Sequence, residues 1–357
     1  MQKKIRIKDI AEMAGVSTGT VDRILHNRGN VSPSAREAVE KVLDRVKYRP
    51  NVHISGMSLK KKYRILITTP QQSHGEYWET IHNGIKRALN EYENIDVECL
   101  IHTYNQYDIY SCRDTFKYIL SIEADACIIG PTFKEETIHL AQELDKKNIP
   151  YIYVDSMVEG TSPLAFFSSD PYICGQLMCK LISYIIPENS GIGILQAVRI
   201  GDESANNTTL RKKGFLDYHK KEKLHNKIYR IPFSVMEPQK NEQLLSEFFN
   251  LNSSIGGVVV LNSRGSVIAN FLSDNKIDNI KLVCIDVTKQ NVEALELGYI
   301  DFLVGQEPEH QGYLAMKTLI EHLIYRNPIK VENYVPLDIL TKETIGYYKE
   351  FKEVEYI

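Results

Sequence analysis

The hydrophobic positions change period along the chain. Over the first fifty residues they recur every three or four positions, in three short runs that predict three helices. The first run, Lys8 to Ala14, puts Ile10, Ala11 and Ala14 on one face. Gly15 suits the left-handed residue that ends a helix, and Ser17 is a good N-cap for the next. The second run buries Val21, Ile24 and Leu25 and ends near His26 to Gly29. The third opens on Ser32 as N-cap with Pro33 at the first helical position, then carries Ala35, Val39, Val42, Leu43 and Val46. Three such stripes close a small core, and the tight turn between the first two predicts a helix-turn-helix.

Pro50-Asn51 halts the third helix, and from Tyr63 the pattern becomes short β-rich runs alternating with amphipathic helices. Strands are predicted at 64–68, 97–101, 126–130 and 150–154, and a second series at 192–196, 228–231, 257–261 and 282–286. Helices such as 76–92, 108–121, 134–147, 204–221 and 308–326 lie between or after them. This alternation means parallel sheets, and two series mean two doubly wound lobes. Ligands of such sheets bind at the carboxyl ends of the strands, which here predicts a cleft between the lobes. The expected architecture is an all-α three-helix head at 1–49, a hinge at 50–62 and an α/β body at 63–357. The lobes are expected at about 63–164 plus 289–322 and about 165–288 plus 323–357.

Charge sharpens this division. Residues 1–62 hold 14 Lys and Arg against 6 Asp and Glu, a balance of +8 that leaves −11 on the rest of a chain whose net charge is −3. A basic head on an acidic body points to a polyanionic partner for the head. The six cysteines form no C-x-x-C pair, and Cys127 and Cys284 lie in apolar runs, which suits buried thiols in a reducing cytosol. The N-terminus has no apolar core of a secretory signal, and no stretch has the length of a membrane span. The expectation is a cytoplasmic protein with no membrane contact, no metal and no cofactor.

The head resembles the LacI/GalR family of bacterial repressors. The matching residues are Ile7-Lys8-Asp9-Ile10-Ala11, Ala14-Gly15-Val16-Ser17, Thr20-Val21, Arg23-Ile24-Leu25 and Tyr48-Arg49-Pro50-Asn51. The resemblance implies that the second helix enters a major groove of double-stranded operator DNA. Thr18 and Gly19 stand where the family reads bases, Arg23 where it reaches toward bases or phosphate, and Ser17 and Thr20 would hold phosphates. Lys8, Asn27 and Asn51 complete the candidate DNA contacts. Met57 matches the family's hinge leucine, which wedges into the minor groove. Asp22 departs from the family's usual Ser, as do Ile54 and Gly56 from its usual hinge.

The body resembles the type I periplasmic binding-protein fold used by the same family. The resemblance rests on Asp170 with Gly175 five residues on, Arg211-Lys-Lys-Gly214-Phe215, Asn262 at a strand end, Val283-Cys-Ile-Asp286, and Gly305-Gln306 with Gly312. It implies effector contacts from Asp170, Arg211, Asn262, Asp286 and Gln306, with Tyr77 and Trp78 as ring platforms and Ser73 beside them. Carboxylates, amides and a guanidinium fork suit the hydroxyls of a carbohydrate, each of which both donates and accepts. A homodimer on a pseudo-palindromic operator follows from the small footprint of one head. The competing readings are a solute-binding receptor, which leaves the head without a purpose, and an enzyme. Against the enzyme, the chain lacks G-x-x-x-x-G-K-[ST], G-x-G-x-x-G and H-E-x-x-H, and its histidines, His82 and His310 among them, are scattered.

Overall fold

The computed structural model describes residues 7–25, 31–46, 61–93, 95–195, 206–234, 237–326 and 328–355. Its head contains α1 (Ile7–Ala14), α2 (Thr18–Leu25) and α3 (Pro33–Val46). Gly15 has φ +66, so a Cβ there would be strained, and it separates α1 from α2 within a few residues. The Ser17 hydroxyl accepts from the Thr20 amide at 3.1 Å, and the Ser32 hydroxyl accepts from the Ala35 amide at 3.3 Å. Both predicted N-caps therefore satisfy a free amide of the first helical turn. Ile10, Ala11, Val21, Ile24, Val39 and Val42 form the head's core, drawn from all three stripes. Asn27, Asn51, Met57 and the hinge up to residue 60 lie outside the described residues.

The body has two six-stranded sheets. The first contains β1 (Tyr63–Pro70), β2 (Val97–Tyr104), β3 (Ala126–Ile129), β4 (Tyr151–Val154), β5 (Ala165–Ser168) and the late strand β11 (Glu332–Tyr334), in the order β11-β5-β4-β3-β1-β2. The second contains β6 (Gly191–Leu195), β7 (Ile228–Ile231), β8 (Ile255–Val260), β9 (Lys281–Ile285), β10 (Phe302–Gly305) and β12 (Asp338–Leu340), in the order β12-β10-β9-β8-β6-β7. All neighbours are parallel except β10 and β12. Each order reverses between its first and third strands, and a crevice opens outside the strand ends there.

Helices cover both faces of each sheet, so the central strands are apolar on both sides. Ile65, Ile67, Ile128 and Ile152 face one core of the first lobe, and Leu66, Cys127, Ile129 and Tyr151 face the other. In the second lobe Val258, Val260 and Leu282 oppose Val259, Leu261 and Val283 in the same way. On one face of the first lobe, α4 (Tyr77–Glu91) packs on α12 (Pro308–Tyr325); in the second, α8 (Asn206–Lys221) packs on α7 (Pro171–Ile185). Both pairs touch backbone to backbone. A Cβ on Gly84 would lie 1.9 Å from the Glu309 carbonyl oxygen, and one on Gly312 2.0 Å from that of Ile81. The matching distances in the second lobe are 2.0 Å for Gly214 from Tyr172 and 1.9 Å for Gly175 from Arg211. Only glycine permits either crossing.

The lobe edges differ from the sequence expectation. β5 (165–168) adds a strand to the first sheet before the chain crosses, and β10 (302–305) does the same in the second. The segment 289–305, with α11 (Lys289–Leu297), therefore belongs to the second lobe, while α12 and β11 return to the first. The reason is that a four-residue strand beside a turn carries too little period to be distinguished from a loop, and only pairing assigns it. The remaining second-lobe helices are α9 (Asn241–Leu251), α10 (Gly265–Asp274) and α13 (Ile345–Glu355). Among the described residues no helix is long and apolar enough to cross a membrane, and no His/Cys/Asp/Glu group could hold a metal. Cys127 and Cys284 are fully buried, and burial pushes both thiols upward, away from nucleophilic thiolate.

Candidate functional site

The strand ends of the two lobes face one cleft of about 230 Å³. Asp155 follows β4 and Asp286 follows β9, the same place in each sheet. Both backbones are left-handed, with φ 72 and 75, a conformation Asp tolerates better than most residues. Each amide still donates to the next strand, Asp155 to Phe167 at 3.0 Å and Asp286 to Val304 at 2.9 Å. The chain thus turns out of the sheet at a carboxylate in both lobes, and both carboxylates line the cleft.

Neutral donors occupy these carboxylates. The Tyr77 hydroxyl donates to Asp155 Oδ1 at 2.8 Å, and Asn207 Nδ2 donates to its Oδ2 at 3.0 Å. Because Tyr77 belongs to the first lobe and Asn207 to the second, Asp155 ties the lobes together. Burial, then the charges of Asp155 and Asp286, hold the Tyr77 phenol well above its ordinary pKa, so it remains a donor. Gln306 Nε2 donates to Asp286 Oδ1, and the Ser263 hydroxyl donates to its Oδ2 at 2.6 Å.

Gln306 lies where the chain crosses from β10 to α12. Its Oε1 accepts from Ser169 Oγ at 2.6 Å, on the other crossover, and from Arg211 Nη2 at 2.7 Å. Arg211 also donates through Nη1 to the Leu261 carbonyl at 3.1 Å. Its guanidinium is buried, an arrangement stable only with such partners and nearby negative groups. Asn262 accepts from the Arg264 amide through Oδ1 at 3.0 Å, which fixes the amide's orientation; its Nδ2 is buried with no partner among the described residues. A buried unsatisfied donor costs about 1–3 kcal/mol, so an acceptor supplied by a ligand would be strongly favoured there.

Six of the eight residues expected to contact an effector line this cleft: Tyr77, Trp78, Arg211, Asn262, Asp286 and Gln306. Two do not. Asp170 caps α7, accepting from the amides of Tyr172 at 2.9 Å and Ile173 at 3.0 Å. Ser73 is exposed in the turn before α4. Trp78 is a core residue with one edge on the cleft: its ring occupies the space over Gly130, where a Cβ would lie 2.5 Å from it. Sequence reasoning missed Asp155, Asn207, Tyr107 and Arg264, which also line the cleft. For Asp155 a signal existed, since Tyr151-Ile-Tyr-Val-Asp155 repeats the strand-then-Asp form of Leu282-Val-Cys-Ile-Asp286.

In the head, Lys8, Ser17, Thr18, Gly19 and Arg23 are exposed, and Thr20 is half-buried. The Ser17 and Thr20 hydroxyls bond each other at 2.9 Å. His82, by contrast, is structural: it is buried against the Thr69 hydroxyl at 2.7 Å, and burial lowers its pKa to about 4.

Comparison with known proteins agrees with this two-part design. Residues 6–51 match the bacterial regulatory proteins of the lacI family, and residues 65–326 match the periplasmic binding protein domain. The sucrose operon repressor of Lactococcus lactis subsp. lactis is 24% identical over 344 residues, spanning 94% of this chain and 98% of that protein. The ribose operon repressor of Lactococcus lactis strain IL1403 is 27% identical over 251 residues, 70% of this chain and 71% of that one. Among solved structures, a protein from Bacteroides fragilis assigned as a LacI transcriptional regulator superposes with a TM-score of 0.78 at 29% identity, covering 81% of this chain and all (100%) of that one. A glucose-galactose binding protein from Geobacillus stearothermophilus, at 19% identity and TM-score 0.68 over 80% of this chain and 99% of its own, shares the fold of the body. The chain belongs to the LacI family of bacterial regulatory proteins, a DNA-binding transcriptional regulator whose body is a periplasmic-binding-protein domain.

Proposed function

We propose that the interlobe cleft binds a small polyol effector of about one sugar unit, and that its occupancy changes the operator affinity of a homodimer. The observation that carries this reading is the convergence of Asp155, Asp286, Arg211 and the unpartnered Asn262 Nδ2 on one cleft. Sugar hydroxyls both donate and accept, and can meet all four. The volume of about 230 Å³ falls below the range of roughly 300–1,000 Å³ usual for drug-sized ligands, which favours a compact ligand. The names of the sucrose and ribose operon repressors point the same way.

In the head, Thr18, Gly19 and Arg23 face base edges, while Lys8, Ser17, Thr20, Asn27 and Asn51 hold the backbone and Met57 wedges the minor groove. Support comes from the exposure of Lys8, Ser17, Thr18, Gly19 and Arg23 and the positive balance of residues 1–62. Asp155, Asn207, Ser169 and Gln306 join elements of both lobes, so a ligand that touches them biases how the lobes sit. Such coupling is typically ~1–3 kcal/mol, a change of about 5–150-fold in operator affinity. A regulator of this kind acts in the cytoplasm, where the operator is.

Calorimetry of the purified chain against mono- and oligosaccharides, paired with an operator mobility shift, tests the reading. A sugar should bind and shift operator affinity; failure of every sugar while purines or phosphorylated metabolites bind would overturn the effector class. Arg23→Ala should abolish operator binding and leave sugar affinity intact. Unchanged operator affinity would remove Arg23 from the reading surface.

A further inference from the structure

Resting on the sugar reading above, we propose that Arg264 makes the cleft selective for a carboxylate-bearing sugar, an aldonic or uronic acid, over its neutral parent. Arg264 stands immediately before α10 and lines the cleft. Its guanidinium has one weak hydrogen bond, Nη2 to the Tyr107 hydroxyl at 3.4 Å, and lies 6.0 Å from that ring's centre. Among the described residues it forms no ion pair. Other body arginines do: Arg64 with Glu98 at 2.8 Å, Arg87 with Glu309 at 3.2 Å and Arg113 with Glu136 at 2.6 Å. Arg211 has no such pair either, but the Leu261 carbonyl and Gln306 take up its fork. Arg264 differs from these in having neither a carboxylate partner nor a strong hydrogen bond among the described residues.

The cleft's own carboxylates do not fill that role. Asp155 is held by Tyr77 and Asn207, Asp286 by Gln306 and Ser263, and Glu76 accepts from the Ser73 amide at 3.2 Å. Burial separates the groups further. Arg211, Asp286 and Gln306 are buried, whereas Arg264, Tyr107 and Glu76 are half-exposed. Among the described residues, the cleft thus has a buried set of polar groups suited to hydroxyls and one half-exposed cation, Arg264, without a carboxylate partner. A planar carboxylate fills a guanidinium fork through two parallel N–H···O bonds, which a neutral hydroxyl cannot. Asn262 Nδ2, which also belongs to the cleft lining, is a further donor without a partner among the described residues. A phosphate dianion fits less well, because it would bring a second negative charge beside Glu76, Asp155 and Asp286.

The test is calorimetry of the full chain with D-glucuronate, D-galacturonate and D-gluconate against D-glucose and D-galactose. At least one acid should bind about tenfold or more tighter than its parent sugar. Arg264→Gln should weaken that acid by about 10–100-fold, the range expected for a lost charged hydrogen bond, and the parent by less than about threefold. Arg264→Lys, which keeps the charge without the fork, should lose part of the preference and serves where the glutamine variant fails to fold. A parent sugar that binds as tightly as its acid overturns the proposal. So does a substitution that weakens both equally, which would make Arg264 a latch against Tyr107. If neutral sugars bind and acids do not, Arg264 selectivity falls and the sugar reading stands; if no saccharide of either charge binds, the sugar reading falls with it.

Discussion

In the first lobe the helix after β1 begins Tyr77-Trp78 and brings aromatic rings to the cleft. In the second lobe the helix after β6 brings Asn207 and Thr208 to the matching place, four and three residues before the residue that meets the helix crossing. One turn on, Ile81 of the first lobe corresponds to Arg211 of the second: their carbonyls are the ones that Gly312 and Gly175 pack against. The frame is repeated almost atom for atom at the crossings, and Asp155 and Asp286 repeat it at the strand ends. What differs is the lining. Besides the paired aspartates, the first lobe contributes the rings of Tyr77, Trp78 and Tyr107 with Glu76 and Gln106 beside them, and the second Asn207, Arg211, Asn262 and Arg264. Repeated packing therefore fixes where residues stand, while the identity of the side chains at those places divides the cleft into a ring wall and a hydrogen-bonding wall.

The largest test of the shared frame is at its crossings. Gly312→Ala and Gly175→Ala would each drive a Cβ to within 2.0 and 1.9 Å of a backbone oxygen. Each should cost about 3 kcal/mol or more and lower the melting temperature by roughly 6–12 °C, since a backbone cannot give way as a side chain does. Closely matched losses in thermal unfolding would support equivalence of the lobes; a near-neutral result at one site would break it.

A smaller effect should separate the walls. Arg211→Met keeps the length of the side chain but removes the donors that Gln306 and the Leu261 carbonyl receive. Effector affinity in a calorimetric titration should fall about 10–100-fold. The matching first-lobe change, Ile81→Val, removes one methyl from a fully buried site and should cost about 0.5–1.5 kcal/mol of stability with effector affinity unchanged.

The smallest difference emerges only in acid. His82 is buried, with its pKa lowered from 6.5 to about 4, whereas its counterpart Lys212 is half-exposed. The folded state resists protonating His82 while the unfolded state does not. Stability should therefore be unaffected above about pH 7, fall as pH drops through 6.5, and level off below about 4. Thermal melts of the wild type and His82→Gln across this range check the sign: the difference in stability should shrink or reverse in acid, and a difference constant with pH would remove His82 as the source.

Much of this was legible before any coordinates. The head was readable because its elements are local: cap residues, Gly15 and a 3.6-residue stripe act within a few positions, and the core they predict is the core that forms. Eight strands were readable: the inner ones, such as 126–130 and 257–261, because both of their faces are buried and they appear as apolar runs, and the edge strands at 97–101 and 228–231 from their β-rich composition between helices. The short strands β5 and β10 were not, and the lobe boundaries moved with them. Within the site, Arg211, Asn262, Asp286 and Gln306 were found through resemblance, yet the same reasoning enlisted Asp170, whose carboxylate instead caps α7.

The sequence by itself determined the basic helical head, the alternation that makes two parallel sheets, and the glycines that let helices touch. Tertiary structure decided which polar groups meet: that Asp155 faces Asn207 from the other lobe, that Gln306 binds Ser169 across two crossovers, and that Arg264 reaches Tyr107. The physical reason is range. Caps, turns and burial patterns are set by neighbours along the chain, whereas a cleft is set by strand ends brought together from distant segments, and a polar side chain gives no sign in sequence of whether its partner lies in the protein or is left for a ligand.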